Sequence, residues 1–243
     1  MNLEEGRGMK VLGIDSSGMT ATVAIIEDDK LISEFSVNHK RTHSETLMPM
    51  IDEIMKASEI TPEDLDVIAI AAGPGSFTGL RIGAATVKGF GLALDIPVAA
   101  VPTLEGLAMN LWGSDKLVCP IMDARRNQVY TGLYHVNTEA ELPEAVLDQT
   151  ACDIEEIIEK INTLGEPVIF LGDGVAQFRD IIEEKAAVNV SFAPAMSGLQ
   201  RAASVASLGL RYHKAGKTVN ADDFTPVYLR PSQAERVRAE ETK

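Results

Sequence analysis

The chain has 243 residues, of which 45% are hydrophobic and 24% are charged, and its formal net charge is −14. This length accommodates one large domain or two modest ones, each able to bury a core. The acidic balance disfavours unaided binding to nucleic-acid phosphates, which depends on clustered Lys and Arg. The two cysteines, Cys119 and Cys152, lie far apart beside apolar residues, so we expect free buried thiols rather than a disulfide framework or a zinc site.

The two ends of the chain carry no sign of a targeting or membrane segment. Residues 1–8 are acidic and contain glycine, unlike a signal peptide, and they are interpreted as a disordered extension. Residues 231–243 are predicted to be a flexible tail. Because no apolar run reaches transmembrane length, we expect no membrane association and a cytoplasmic location.

The first half begins as a strand meander and then changes to helices. Strands are predicted at 10–15, 20–27 and 31–38, where apolar and β-branched runs are bounded by turn residues. Apolar residues recur at three- and four-residue steps over 44–58, which predicts a helix. The remaining predicted elements of this half are a strand at 67–72, a helix at 78–94, a strand at 96–101 and a helix from 103 to about 112.

The second half opens in the same order as the first. A strand over 116–123 ends in Asp123, a turn follows at 125–127, and a returning strand covers 128–136. A long polar stretch, 137–148, separates this strand from the next helix. The further predicted elements are a helix at 154–164, a strand at 167–171, a helix at 175–185, a strand at 190–192, a helix at 199–215 and an extended tail at 224–231.

Each half therefore begins with a strand that ends in aspartate, a turn and a returning strand, which suggests a duplicated α/β unit. The order of elements predicts two lobes, each with a mixed sheet flanked by helices. We place the N-terminal lobe at 9–113 and a smaller, degenerate C-terminal lobe at 114–230.

The most distinctive segment is the glycine turn, residues 73–83, which lies between a buried strand and a helix. Its glycines allow the backbone to approach a neighbour closely, and the free N–H groups at a helix start suit an anion. The sequence leaves open whether that neighbour is a ligand phosphate or another part of the protein. Ser76 is predicted to cap the helix that follows.

Duplicated halves that each begin with an acidic hairpin resemble the actin, hexokinase and Hsp70 ATPase fold. Six segments extend the match and together closely resemble the TsaB (YeaZ) family. They are Ile14–Ser17, His43–Leu47, Ala72–Gly83, Pro102–Glu105, Met122–Arg125 and Pro226–Arg230. The resemblance spans about residues 9–230, and the run GPGSFTGLRIG is its most specific part.

The resemblance implies a non-catalytic partner of the paralogue TsaD. With the ATPase TsaE, that complex transfers a threonylcarbamoyl group to adenosine 37 of tRNAs that read ANN codons. The resemblance also implies a heterodimer with TsaD, a homodimer when the chain is alone, and contact with tRNA only through the complex. Two alternatives stay open, a stand-alone nucleotide-dependent phosphotransferase of the same fold and the glycoprotease-like peptidase of an older description of the family.

Enzymes of this fold hold phosphates between two hairpins, so the resemblance nominates a vestigial nucleotide site. The residues assigned to it are Asp15, Ser16, Ser17, Asp123, Gly172 and Gly174. The second turn carries the bulky Arg125 and Arg126 where a phosphate needs small residues and exposed N–H groups. We therefore expect no required cofactor, and weak binding of ATP or ADP remains as the alternative.

No metal site and no protease site are expected. The resemblance places a pair of metal-binding histidines of TsaD at the positions of Thr103 and Leu107, and leucine cannot ligate a metal. Because the sequence nominates no base for Ser76, no catalytic residue is assigned.

The predicted helices 44–58 and 78–94 are the candidate partner surface. The second is apolar nearly all round and rich in small residues, and the first carries three methionines, which adapt to irregular partners. One interpretation is that both pack only on the sheet and on each other; the other, which the resemblance supports, is that they dock onto TsaD. The residues assigned to the interface are Leu47, Met48, Ile51, Ile54, Met55, Leu80, Ala84, Val87 and Gly91.

Overall fold

The computed structural model describes residues 7–39 and 42–230, which form two five-stranded sheets with helices on their faces. The first sheet contains β1 (Lys10–Asp15), β2 (Thr20–Glu27), β3 (Lys30–Asn38), β4 (Val67–Ala71) and β5 (Val98–Val101). The second contains β6 (Ser114–Asp123), β7 (Gln128–Val136), β8 (Glu144–Asp153), β9 (Val168–Leu171) and β10 (Val190–Phe192). The helices are α1 (His43–Ser58), α2 (Phe77–Leu94), α3 (Thr103–Ala108), α4 (Ile154–Leu164), α5 (Val175–Lys185) and α6 (Ala202–Lys214).

Parts of the sequence-based prediction lie outside these residues. They are residues 1–6 of the predicted N-terminal extension and the whole predicted tail, 231–243. Within the described ranges, no helix combines the length and the apolar character that crossing a membrane requires.

The two sheets have the same strand order. The first runs β3-β2-β1-β4-β5 and the second β8-β7-β6-β9-β10. In each, the three strands that come first along the chain pair antiparallel, and the last two join the sheet in parallel. Parallel neighbours need a crossover, and helices supply it, with α1 leading into β4 and α2 into β5. The predicted duplication of a mixed-sheet unit is therefore confirmed.

The first sheet is covered by helices on both faces. Because side chains alternate along a strand, Ile68 and Ile70 of β4 face one side while Val67 and Ala69 face the other. The first pair packs with α1 and α2, and the second pair packs with α6. Strands buried on both faces explain why β4 reads as a continuous apolar run.

The second sheet packs α4 and α5 on one face and α3 on the other. Isoleucines of α4 and the buried Phe170 of β9 belong to the first of these clusters. Leu104 and Leu107 of α3 pack with Val118 and Tyr134 in the second. Helix α3 therefore lies between the lobes and contacts the second sheet, although it precedes the predicted boundary.

Helix α6 belongs by its contacts to the first sheet, although the predicted C-terminal lobe, 114–230, contains it. It packs against β1, β2, β4 and β5, and Val205, Leu208 and Leu210 share a core with Val11 and Val67. The chain thus returns at its end to complete the first lobe. The reason is physical, since among the described residues α6 is the helix whose side chains bury the second face of the first sheet.

Residues 219–230, here called the C-terminal strap, follow α6 across the first lobe. Val219 pairs with Val98 at the edge of the first sheet, and Phe224 is 2% exposed in the core beneath α1 and α2. The N–H of Val227 then donates to the carbonyl of Ala72 at 2.7 Å. The predicted extended tail is correct in position, but it is an internal part of the lobe.

The polar stretch predicted at 137–148 contains the start of a strand, because β8 begins at Glu144. This strand lies at the edge of the second sheet and is only half buried, so its polar residues face solvent. Such a strand lacks the apolar run that would have revealed it. Other elements agree with the prediction apart from their ends, such as α6, which was expected at 199–215.

Candidate functional site

A cleft of about 810 Å³ lies between the two lobes. Six segments contribute to its lining, namely the β1–β2 turn, the start of α1, the glycine turn, the β6–β7 turn, the start of α5 with the preceding Asp173, and the C-terminal strap. The two turns that follow Asp15 and Asp123 thus face the same space, as the duplicated fold predicts.

The glycine turn is packed against the chain's own first hairpin. A Cβ atom added to Gly75 would lie 2.3 Å from the carbonyl oxygen of Ser17, and one added to Gly79 would lie 2.0 Å from that of Ser16. The N–H of Ser76 donates to the Ser17 carbonyl at 2.6 Å. The close neighbour of these glycines is therefore the backbone of the chain's own first hairpin.

Ser76 caps α2, as predicted. Its hydroxyl oxygen accepts the N–H of Gly79 at 3.2 Å, which satisfies one of the free donors at the helix start. Its backbone carbonyl accepts the N–H of Leu80 at 2.8 Å. The serine is thus engaged in the local structure of the helix start.

Most polar groups of the β1–β2 turn form hydrogen bonds within the first lobe, as Asp15, Ser16 and Ser17 show. Asp15 Oδ1 accepts the N–H of Ser17 at 2.8 Å and its hydroxyl at 2.6 Å, and Asp15 is 2% exposed. Ser16 Oγ donates to the carbonyl of Gly79 at 2.9 Å. Burial raises the pKa of the Asp15 carboxyl to about 6, although the hydrogen bonds from Ser17 act in the opposite direction. Only Ser17 of the three lines the cleft.

Asp123 faces the cleft and is held by its own turn. Its Oδ1 accepts the N–H of Arg125 at 2.8 Å, and its Oδ2 lies 3.8 Å from Arg125 Nη1. Its N–H donates to Asp173 Oδ1 at 3.1 Å. Burial raises the pKa of the Asp173 carboxyl, and the N–H of Asp123 partly offsets this effect.

Gly172 and Gly174, predicted as vestigial cofactor residues, are packed against the chain's own backbone. A Cβ atom on Gly172 would lie 2.1 Å from the carbonyl oxygen of Ile121, and its φ is +107°. Gly174 donates its N–H to the same carbonyl at 3.1 Å. It is the residue between them, Asp173, that lines the cleft.

Helix α3 carries no histidine, and its first residue, Thr103, forms a hydrogen bond with the glycine turn. Thr103 is fully buried, and its hydroxyl accepts the N–H of Gly73, the first glycine of the glycine turn, at 3.0 Å. Leu107 is 1% exposed in a hydrophobic core. Across residues 7–39 and 42–230, no three His, Cys, Asp or Glu side chains gather as a metal site would require.

The residues assigned to the partner interface lie mostly inside the first lobe, and this corrects the assignment. Met48 is 49% exposed, whereas the other eight residues are buried. Seven of these eight are not glycine, and each of the seven is at most 7% exposed. The buried residues are Leu47, Ile51, Ile54, Met55, Leu80, Ala84, Val87 and Gly91. A side chain enclosed by its own core cannot also contact a partner, so any docking face must use the outer residues of the same helices.

The sequence of the chain matches known proteins over most of its length. Residues 30–237 match the family model TsaD, tRNA N6-adenosine threonylcarbamoyltransferase. A relative from Bacillus subtilis (strain 168), the tRNA threonylcarbamoyladenosine biosynthesis protein TsaB, is 35% identical over 93% of this chain and 96% of its own length. The chain belongs to the TsaB family.

Other members of the TsaB family extend the match to the fold. TsaB from Escherichia coli (strain K12) is 29% identical, over 93% of this chain and 96% of its own length. The solved structure of YeaZ from Pseudomonas aeruginosa superposes with a TM-score of 0.78 and 25% identity, and it covers 91% of this chain and all of that chain. The family and the duplicated fold of two mixed sheets flanked by helices, both predicted from the sequence, are thus confirmed.

Several residues of the cleft were missed by reasoning from the sequence. Asp173 was passed over between its two glycines, although it lies only two residues after the end of the buried strand β9. Tyr228 and Phe77 are far apart in the chain, yet their ring centroids lie 4.8 Å apart at the cleft. No local pattern could have joined them, because the strap brings them together only in the folded chain.

Proposed function

We propose that the chain is a non-catalytic subunit for tRNA threonylcarbamoyladenosine biosynthesis, acting as the partner of a TsaD-family enzyme. Membership of the TsaB family over nearly the whole chain supports this proposal. In the proposed complex, the chain holds the enzyme in its active conformation, and TsaE supplies the ATPase. The substrate is the adenosine 37 position of tRNAs that read ANN codons.

One observation carries the non-catalytic part of the proposal. The glycine turn, which in sequence looks like a phosphate cradle, is filled by the backbone of Ser16 and Ser17. On the opposite side of the cleft, the turn after Asp123 places Arg125 in the cleft lining, and Arg126 follows it in the chain. The glycine turn therefore offers a nucleotide phosphate no open backbone cradle, so weak binding at most is proposed and no cofactor is required.

The proposed docking face is the outer side of α1 and α2, hereafter the outer helical face. On α2 it consists of Ala85, Gly89 and Leu92, and on α1 of Met48. Leu92 is 55% exposed and Met48 is 49% exposed, so both present large apolar groups to solvent. Nothing within 4 Å would meet a Cβ added to Gly89, which leaves room for close approach of a partner helix. In the absence of the enzyme, we propose that two copies pair through this face.

Reconstitution tests the function directly. The chain, its TsaD-family partner and TsaE are combined with an unmodified tRNA that reads an ANN codon, threonylcarbamoyl-adenylate and ATP, and transfer is measured with and without the chain. We expect transfer to fall to background when the chain is omitted. Calorimetry of the isolated chain with ATP and magnesium provides the opposing test, since micromolar binding with turnover would support the phosphotransferase instead.

A further inference from the structure

Arg125 and Arg230 line the cleft, although the chain as a whole carries a net charge of −14. Arg126 is the chain neighbour of Arg125, and the Arg81 guanidinium stacks on Phe77, a residue of the cleft lining. Arg125 and Arg126 stand at the tip of the β6–β7 turn, and the Arg125 side chain is 86% exposed. Arg230 of the strap donates from Nη1 to the carbonyl of Ala124 at 2.7 Å, so its guanidinium lies next to the same turn. In the part of the chain that the structure describes, Arg81, Arg126 and Arg230 form no ion pair with a carboxylate.

Aromatic rings are interleaved with these arginines. The Arg81 guanidinium carbon lies 4.0 Å from the centroid of the Phe77 ring, and Phe77 packs against Tyr228 at 4.8 Å between centroids. Tyr228 is 39% exposed, and both rings line the cleft. An exposed ring beside guanidinium groups offers a surface on which a planar base can stack.

The backbone of the β6–β7 turn is built to project its arginines. Arg125, Arg126 and Asn127 are all left-handed, with φ of 66°, 56° and 62°. That conformation is disfavoured for residues with side chains, and such outliers concentrate at functional sites. The turn is fixed by the N–H of Gln128, which donates to the carbonyl of Arg125 at 3.2 Å. Two cationic side chains are thus presented to solvent by consecutive residues of this turn.

We propose that this arginine–aromatic rim, consisting of Phe77, Arg81, Arg125, Arg126, Tyr228 and Arg230, binds single-stranded nucleotides of the tRNA directly. The guanidinium groups would pair with loop phosphates, and the exposed face of Tyr228 would stack with an unpaired base. The inference rests on the proposed function, which supplies tRNA as the substrate of the complex. It also revises the expectation from the sequence that tRNA is reached only through partner proteins.

Another occupant would be an acidic surface of a partner protein, which would also attract arginines. The observations favour RNA, because an acidic surface has no use for the aromatic rings among the guanidinium groups, whereas a splayed base does. The cluster is also small, so it suits a few loop nucleotides rather than a long duplex. The affinity of this rim for RNA is expected to be modest and to depend on the salt concentration.

Fluorescence anisotropy with labelled tRNA tests the proposal. The probe is a fluorescein-labelled, unmodified tRNA transcript that reads an ANN codon, titrated with the chain alone and with the chain bound to its TsaD-family partner. For the double variant Arg125→Gln/Arg126→Gln, we expect about tenfold weaker binding and a slope of log K against log salt that is shallower by about 1 to 2. For Tyr228→Leu, we expect about fivefold weaker binding with an unchanged slope, since stacking involves no counterion release.

A matched variant controls for the loss of charge alone. Lys160→Gln/Lys185→Gln also removes two exposed cations, from α4 and α5 of the same lobe, and should leave affinity and slope unchanged. A fully paired RNA hairpin of equal length should bind more weakly than the tRNA and should respond little to Tyr228→Leu. Equal affinity of the rim variants and the parent for tRNA would overturn the proposal, as would a rim effect confined to binding of the partner protein. Reconstituted transfer separates the two proposals, because it tests the need for the chain whatever the rim binds.

Discussion

Gly79 lies closer to a neighbouring backbone than any residue with a side chain could. It occupies the first turn of α2, where Ser16 of the β1–β2 turn crosses the helix start. The requirement is one of space rather than of a special backbone angle. It follows that the glycine turn is part of the internal packing of the first lobe.

Gly79→Ala should therefore destabilise the protein by about 2 kcal/mol or more, because the added methyl would lie 2.0 Å from a carbonyl oxygen. The matched variant is Gly89→Ala in the same helix, where the methyl would meet nothing within 4 Å. Alanine is the better helix former by about 1 kcal/mol, so Gly89→Ala should stabilise the chain by up to that amount. Urea unfolding of the two variants beside the parent measures both effects, and equal effects would contradict this account of the turn.

Asp15 couples the stability of the first lobe to pH. Its carboxyl has a pKa of about 6 in the folded chain and 3.8 as a free group. Between these values, the folded state holds a proton that the unfolded chain has released. The contribution of Asp15 is therefore fully present below about pH 4 and is lost as the pH rises through about 6.

Asp15→Asn should remove this pH dependence, because the amide oxygen can still accept from Ser17 but does not titrate. The unfolding free energy of the variant should therefore rise relative to that of the parent between pH 4 and pH 7. The shift corresponds to the difference between the two pKa values, about 3 kcal/mol. Urea denaturation at a series of pH values measures it. A difference that stays constant with pH would show that Asp15 does not titrate in this range.

The candidate site was predictable from the sequence only in part. The acidic ends of two hairpins were found because each follows a strand in a repeated order, and the structure does place Asp123 at the cleft. The interface residues failed for a different reason. A helix that is apolar nearly all round does not reveal which side faces the sheet, and choosing its largest apolar residues selects the buried ones.

At the scale of elements, the start of α6 is capped by strands that are distant in sequence. Glu34 of β3 accepts the N–H of Ala203 at 2.9 Å through Oε1 and the Nε of Arg201 at 3.1 Å through Oε2. Thr22 of β2 accepts the N–H of Ala202 at 3.2 Å. The side chain of Glu34 is only 11% exposed, so these charge-assisted bonds are shielded from water.

Glu34→Ala should destabilise the protein by about 2 kcal/mol, because it leaves the N-terminus of α6 and Arg201 without their acceptor. The matched control is Glu183→Ala, which breaks a 3.3 Å pair with Arg179 on the surface of α5, where Glu183 is 55% exposed. Its effect should stay within about 0.5 kcal/mol. Thermal or urea unfolding distinguishes the two, and an equally small effect for Glu34→Ala would contradict the capping role.

The elements themselves were largely predictable because their signals are local. Apolar alternation, the turns at residues 16–18 and 125–127, and the helical period of 44–58 each act over a few residues. The attachment of α6 to the first sheet was not predictable in this way. It depends on which apolar face is left uncovered after all other elements have packed, which is a property of the whole chain.

At the scale of the whole molecule, the outer helical face should bind the partner without disturbing the core. Leu92→Glu places a charge within the proposed contact and should weaken binding to the TsaD-family partner by about a hundredfold or more, since burying an unpaired charge is costly. Ala187→Glu, at an exposed position of the second lobe, is the control and should bind normally. Pull-down and size-exclusion chromatography measure binding, with circular dichroism to confirm folding. Normal binding by Leu92→Glu would exclude this face.

The first lobe should fold only when α6 and the strap are present. A fragment of residues 1–113 leaves Val11, Val67 and Ala69 uncovered on one face of the sheet, so we expect it to show no cooperative unfolding transition. A fusion of 1–113 to 199–230 through a short Gly–Ser linker should regain one. A short linker is sufficient because residues 110 and 199 are close together, with Asn110 Nδ2 donating to the carbonyl of Leu199 at 2.7 Å. Circular dichroism during urea titration compares the two, and cooperative unfolding of the shorter fragment would refute this dependence.

The return of α6 to the first sheet also sets an order of completion on the ribosome. The strands of the first lobe are synthesised first, but one face of their sheet stays open until residues 202–224 have left the exit tunnel. The helices that cover the second sheet are all translated before that point. Although domains generally fold from the N-terminus during synthesis, the lobe that starts first in this protein is the last to be finished. If synthesis stops before α6 has been made, the apolar face of the first sheet that α6 covers therefore stays exposed to solvent.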